Sequence, residues 1–195
     1  MEITIDFWNK NHHNNFKKIA KYFKKNRQVS IIEIGTYEGR TSEWLIKNIG
    51  NSNIIAIDPD PCTNFYKNVE ELYETSRFNW IKGYSHEVLH SLKGNMFDFI
   101  YVDGSHHASS VLEDAILSWR LLKNNGILLF DDYLMKVMDD WFYKSYKEFN
   151  ESFVWQHPKH AIDAFLSIYK GQYKMFIDNY QVGIIKKCSL ESKNI

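Results

Sequence analysis

Two cysteines, Cys62 and Cys188, stand far apart and without a metal-type spacing. That excludes a disulfide framework and a cysteine zinc site. The three prolines and nine glycines of this 195-residue chain gather into no linker, so one domain spanning 1–195 with a sizeable core is expected. Lys+Arg and Asp+Glu are equal at 24 each. With no net field of either sign, neither nucleic acid nor an anionic membrane surface is an expected partner. No apolar run approaches the roughly 18 residues of a membrane span, and the first residues lack the basic-then-apolar order of a secretion signal. The expectation is a soluble, cytoplasmic protein.

What the sequence does have is alternation of apolar runs and helical patterns. The stretch Val29–Arg40 organises it: Val29, Ile31, Ile32 and Ile34 make a buried strand, and Gly35 and Gly39 bracket a turn into a helix over Thr41–Ile49. A strand, a glycine loop and a helix start in one unit leave backbone N–H groups and a positive dipole end for a polar or anionic ligand. Before it, Phe16, Ile19, Ala20 and Phe23 share one face of a helix over 13–26, with Lys17, Lys18, Lys21, Lys24 and Lys25 on the other, so residues 1–28 form a helical cover over the sheet.

Further strands are read at Asn53–Asp58, Phe78–Ile81, Met96–Asp103 and Ile127–Phe130, with helices over Phe65–Thr75 and around Leu112, Ala115, Ile116 and Trp119. On that last helix Glu113, Asp114 and Arg120 are expected to face away, and Asn124-Asn125-Gly126 to break it. Residues 134–157, crowded with aromatics, read as an insertion that walls an acceptor pocket, makes a dimer contact or packs a local helix. Pro158 then opens a helix carrying Ile162, Phe165 and Ile168, and Tyr173–Ile177 and Gln181–Lys187 form an antiparallel hairpin. Strands alternating with helices imply a doubly wound, mostly parallel α/β sheet, with ligands at the carboxyl ends of the strands. Gly35, Asp58, Ser85, Asp103 and Asp131 would gather there.

A glycine loop after the first strand and Asp58 at the end of the second fit nucleotide binding in general, the carboxylate accepting from ribose hydroxyls. Tyr37 occupies the place where a dinucleotide pyrophosphate needs bare backbone. A Glu33 carboxylate beside the loop would repel a pyrophosphate and could help neutralise an ammonium or sulfonium centre. A nicotinamide oxidoreductase is therefore disfavoured.

The runs Glu33-Ile-Gly-Thr-Tyr-Glu-Gly-Arg-Thr41, Ile-Ala-Ile-Asp58, Gly-Tyr-Ser85, Val-Asp103-Gly-Ser-His106 and Phe-Asp131-Asp132-Tyr133 resemble the class I S-adenosylmethionine-dependent methyltransferases. Among these the chain looks most like the metal-assisted O-methyltransferases, those of catechol and of sugars and macrolides included. The resemblance runs from about Val29 to Lys187 and implies a seven-stranded Rossmann-like sheet with an antiparallel last strand. It implies that Gly35, Tyr37 and Gly39 underlie the methionine portion of the cofactor, that Thr41 holds its carboxylate, that Asp58 binds the ribose, and that Ser85, with His86, contacts adenine. Asp103 counts among the cofactor contacts as well as the metal ligands. Each residue also has a plain structural role open to it: turn glycines, an N-cap at Thr41, a strand end before Pro59, a helix cap at Ser85.

Asp103, Asp131 and Asp132, from the ends of adjacent strands, would repel one another unless a hard divalent cation such as Mg²⁺ joined them. The resemblance assigns the same three as metal ligands and places the general base at His106, whose imidazole can take a hydroxyl proton near neutral pH. His106 or His107 could instead cap the helix or stack on adenine. The expected activity is methyl transfer to a hydroxyl of a small molecule or sugar, with a homodimer possible; the competing expectation is a non-catalytic binding or scaffolding protein of the same fold.

Overall fold

A strand covered on both faces needs an unbroken apolar run, and those runs become the centre of the molecule. The computed structural model describes residue 3 and residues 8–23, 27–135 and 157–188. In chain order they form α1 (Lys10–Tyr22), β1 (Gln28–Ile34), α2 (Arg40–Asn48), β2 (Asn51–Ile57), α3 (Phe65–Glu74), β3 (Phe78–Ile81), α4 (Ser85–Ser91), β4 (Phe97–Val102), α5 (Ala108–Leu121), β5 (Leu122–Phe130), α6 (Pro158–Ile168), β6 (Tyr173–Asp178) and β7 (Val182–Lys186). Lys24, Lys25 and all of the expected aromatic insertion from 136 to 156 lie outside the described residues.

The sheet runs β3-β2-β1-β4-β5-β7-β6. The first five strands pair in parallel, and β7 is antiparallel to both β5 and β6. This is the expected seven-stranded fold with its antiparallel last strand. One face packs against α1, α2 and α3 through Phe16, Ile19, Leu45, Phe65 and Val69; the other packs against α4, α5 and α6 through Leu89, Ala115, Trp119, Ile162 and Phe165. Strand order reverses between β1 and β4, which opens a crevice at their carboxyl ends. That crevice is flanked by Gly35 on one side and Asp103 on the other.

Three local readings change. Helix α1 starts at Lys10, three residues before the expected 13, because Asn9 caps it: its side chain accepts from the Asn11 and His12 amides, and His12 Nδ1 accepts from the Asn9 amide in return. Asn124-Asn125-Gly126 does not end a helix; it lies inside β5 as a bulge, with Asn125 at φ 63°, and the ladder jumps from Phe97–Leu122 to Phe99–Ile127. On α5 the buried arc is turned from the expected one. Asp114 is buried and Ile116 exposed, since α5 packs against α4 and α6 as well as the sheet. Ile168, carried on the same helix as the buried Ile162 and Phe165, is exposed at the end of α6, and α4 is a helix that the apolar pattern did not announce. Among the described residues no helix is long and apolar enough to cross a membrane.

Candidate active site

The loop after β1 is held from both sides. The Gly35 amide donates to the Ile57 carbonyl and the Asp103 amide to the Ile34 carbonyl, each at 2.9 Å. Gly35 sits at φ 83°, and a Cβ there would fall 2.0 Å from the Asp103 carbonyl oxygen. Only a glycine lets the loop lie this close to the end of β4. The Gly39 amide closes the turn onto the Thr36 carbonyl at 2.7 Å, at φ 80°, and α2 begins at the next residue. Tyr37 is left-handed at φ 47° and half exposed; Thr41 is buried on the first turn of α2.

Asp58 is the loop's anchor. Its Oδ2 accepts from the Thr36 and Tyr37 amides, both at 3.0 Å, and its Oδ1 from the Asp60 amide at 2.9 Å. A carboxylate has about four acceptor positions; the loop takes two, the Asp60 amide a third, and one remains for a ligand. Glu33 lies below the loop rather than in it. It is 1% exposed and accepts from the Ser42 hydroxyl. Burial pushes its carboxyl up to about 8, with the Asp58 charge adding to the effect against the Ser42 hydrogen bond. At neutral pH it is protonated, so the loop does not present the carboxylate expected from the sequence. Ser85 opens α4, and its side chain hydrogen-bonds the Asp114 carboxyl, which burial nevertheless pushes up to about 6. His86 is exposed and stacks on Tyr84 with ring centroids 5.8 Å apart.

At the ends of β4 and β5, Asp103, His106 and Asp132 each bring one ligand atom to within 4.8 Å of the others. His106 Nε2 stands 3.1 Å from Asp132 Oδ2, and the Tyr180 hydroxyl donates to Asp132 Oδ1 at 2.9 Å. Burial, with the Asp132 carboxylate adding to it, raises the Tyr180 phenol far above its usual range.

Asp131 is not in this group. Adjacent residues at a strand end project to opposite sides, and the left-handed turn at Asp132, φ 58°, separates them further. Asp131 is buried, and its Oδ2 accepts from the Tyr101 hydroxyl, from Gln181 Nε2 at 3.0 Å and from His12 Nε2 at 3.2 Å, while Oδ1 accepts from the Asp132 amide at 2.8 Å. Burial alone would raise its pKa; the hydrogen bonds from His12, Tyr101 and the Asp132 amide outweigh it and hold the carboxyl below its usual value. Asp103 goes the other way, raised well above the usual range by burial and by the Asp131 and Asp132 charges. Tyr101 joins the two, its oxygen 2.9 Å from Asp103 Oδ2. One phenolic proton cannot serve two carboxylates.

Sequence reading missed His12, Tyr101, Tyr180 and Gln181. Two of them carried a signal. Tyr101 is two residues from Asp103 and so shares its face at the end of β4, and His12 shares the inner face of α1 with Phe16 and Ile19. Tyr180 and Gln181 lie in the connection between β6 and β7, which only the closed sheet brings beside β5.

The donor set suits a hard divalent cation through Asp103 and Asp132, with an imidazole at hand. The glycine loop beside it suits a cofactor without a pyrophosphate. A seven-stranded 3-2-1-4-5-7-6 sheet with both features at its switch point defines the class I S-adenosylmethionine-dependent methyltransferase fold.

Residues 32–133, more than half of the chain, match the family described as "Methyltransferase domain". The chain belongs to that methyltransferase family. An uncharacterized protein of Acanthamoeba polyphaga mimivirus is 29% identical over 134 residues, covering 63% of this chain and 59% of its own length. The chain therefore spans less than two thirds of that relative. Among solved structures, the MycE methyltransferase of the mycinamycin biosynthetic pathway, in complex with Mg and SAH, aligns at TM-score 0.67 and 16% identity over 98% of this chain and 53% of its own. The O-methyltransferase TomG of Streptomyces achromogenes, in complex with SAM, aligns at TM-score 0.62 and 14% identity over 89% of this chain and 80% of its own. At these identities the likeness is one of fold.

Proposed function

We propose that this protein is an S-adenosylmethionine-dependent O-methyltransferase that methylates a hydroxyl of a small molecule or sugar with the help of a divalent cation, Mg²⁺ by the chemistry of its carboxylates. The observation that carries the reading is the juxtaposition at the switch point: the Asp103, His106 and Asp132 cluster begins at the residue whose carbonyl a Cβ on Gly35 would strike. A methyl donor on the loop and an acceptor hydroxyl at the cluster would thus be neighbours. Membership of the methyltransferase family supports it, as does the fold shared with MycE and TomG.

In this reading Gly35, Tyr37, Gly39 and Thr41 receive the methionine end of the cofactor, Asp58 its ribose and Ser85 the adenine. Asp103 and Asp132 hold the cation, which when bound lowers the pKa of the acceptor hydroxyl. Asp132 orients His106: with Nε2–H donated to the carboxylate, the basic lone pair of the ring is on Nδ1, where the hydroxyl proton would go. Alignment of acceptor oxygen, methyl and sulfur supplies much of the acceleration. Sugar or polyol acceptors are favoured, because Asp103-Gly-Ser-His106 and Asp131-Asp132-Tyr133 resemble the sugar-modifying branch. The acceptor, a cytoplasmic location and any dimer belong to this reading too.

The test is calorimetric titration of adenosylmethionine into the Mg²⁺-loaded protein, followed by transfer of a labelled methyl group to a library of hydroxyl compounds. His106→Ala should lower turnover by about 10²- to 10⁴-fold and leave adenosylmethionine affinity nearly unchanged. Absence of adenosylmethionine binding would sink the proposal, and binding without transfer to any hydroxyl would favour the scaffolding alternative.

A further inference from the structure

The resemblance assigns Asp131 to the cation, yet its buried carboxylate holds four donors from other parts of the fold. A carboxylate has about four acceptor positions. On Asp131 the Tyr101 hydroxyl, Gln181 Nε2 and His12 Nε2 all converge on Oδ2, and the Asp132 amide meets Oδ1. To turn Oδ2 to a shared ion it would have to leave three of these partners in a buried setting, where an unmet donor is costly.

The partners are not scattered. His12 belongs to α1, and its Nδ1 accepts from the Asn9 amide at 3.2 Å, so the proton is on Nε2, directed at Asp131. One turn on, Asn15 Nδ2 donates to Asn179 Oδ1 and to Gln181 Oε1, both at 2.9 Å, and Asn179 Nδ2 donates back to Asn15 Oδ1 at 3.0 Å. His12 and Asn15 are buried on the inner face of α1, where an apolar pair would suffice if the helix only had to cover the sheet. Instead the face is a polar latch that closes on Asp131 and Gln181. Trp8 lies over it, stacked on Phe16 at 4.6 Å and on His12 at 6.4 Å.

We propose that Asp131 is a positioning residue and not a cation ligand: with His12 it latches α1 against the carboxyl edge of the sheet, and the cation is left to Asp103 and Asp132. The two adjacent acids at the end of β5 thus have separate roles, one binding a helix and one binding the ion. The cation half rests on the function proposed above; the latch does not.

Two measurements on the full chain separate them: Mn²⁺ titration followed by electron paramagnetic resonance, and hydrogen exchange of the α1 amides. Asp131→Asn should keep Mn²⁺ affinity within about tenfold of wild type, while α1 exchanges about tenfold faster or more. Asp103→Asn and Asp132→Asn should each weaken Mn²⁺ by about a hundredfold and leave α1 protected. His12→Leu should release α1, and His12→Gln, whose amide can both donate to Asp131 and accept from the Asn9 amide, should restore its protection. The assignment is overturned if Asp131→Asn weakens Mn²⁺ as much as Asp103→Asn does, or if α1 exchange is unmoved in both Asp131→Asn and His12→Leu. It is also overturned if His12→Leu tightens Mn²⁺, as a ligand freed from a competing partner would. Should Asp131→Asn fail to fold, the two His12 variants decide alone. A wild-type protein that binds adenosylmethionine and no Mn²⁺ overturns the cation half; one that binds no adenosylmethionine overturns the methyltransferase function, with the α1 pattern still deciding the latch.

Discussion

Gly35 bears the strictest steric demand in the site, because a Cβ at that position would meet backbone rather than a side chain that can move aside. Gly35→Ala combines a left-handed φ with a 2.0 Å overlap on the Asp103 carbonyl, so it should cost about 3–5 kcal/mol. Denaturant midpoints should read that loss, and adenosylmethionine binding should fall with it as the loop moves off β4. Glu33 makes a different kind of prediction. Its folded pKa, about 8, lies above the ordinary 4.5, so the native state holds a proton that the unfolded chain has released. The stability this contributes is complete below about pH 4.5 and is lost as pH rises through 8. Glu33→Gln should keep the Ser42 contact and flatten the pH dependence of stability across that window, worth on the order of 2–4 kcal/mol at its upper end. A profile identical to wild type would show that Glu33 is ionised in the fold.

Helix α1 combines a reciprocal cap with a polar inner face. Asn9→Ala removes the acceptor for two first-turn amides and should cost about 1 kcal/mol, read as a fall of a few degrees in melting temperature and as faster exchange at the start of α1. Helix α5 shows how a neighbour overrides a pattern. Asp114 falls on a face that hydropathy marks as outer, yet α4 covers it and Ser85 meets its carboxyl. Its folded pKa of about 6 exceeds the ordinary 3.8, so Asp114→Asn should remove a loss of stability between about pH 4 and 6. Urea midpoints at pH 4, 6 and 7 would check it, the variant gaining on wild type as pH rises.

For the whole molecule, the two hydrophobic layers differ in what they hold in place. The α4, α5 and α6 layer closes on Phe165, whose ring meets Phe130, Trp119 and Tyr169 at centroid distances of 5.6, 5.8 and 4.6 Å. The α1, α2 and α3 layer carries the glycine loop and the latch, so ligand occupancy should be felt on that side. If adenosylmethionine binds the native state alone, a concentration of one hundred times its Kd should raise unfolding free energy by about 2.7 kcal/mol. Differential scanning calorimetry with and without it would read this as a higher melting temperature, and an unchanged one would count against the cofactor site.

Sequence by itself determined the order of the strands and of every described helix but α4, the glycine loop at Gly35 and Gly39, and the carboxylates at the strand ends. Those features follow from hydrophobic period and backbone conformation, which act over a few neighbouring residues. Tertiary structure alone decided where each acid points. Asp131 and Asp132 are consecutive, but a left-handed turn sends one to His12 and Gln181 and the other to His106 and Tyr180. Glu33 is a carboxylic acid beside the loop in sequence and a protonated group under it in space, because burial sets its charge. A side chain's ionisation and partners depend on elements from tens to more than a hundred residues away, and no local pattern encodes which of them will arrive.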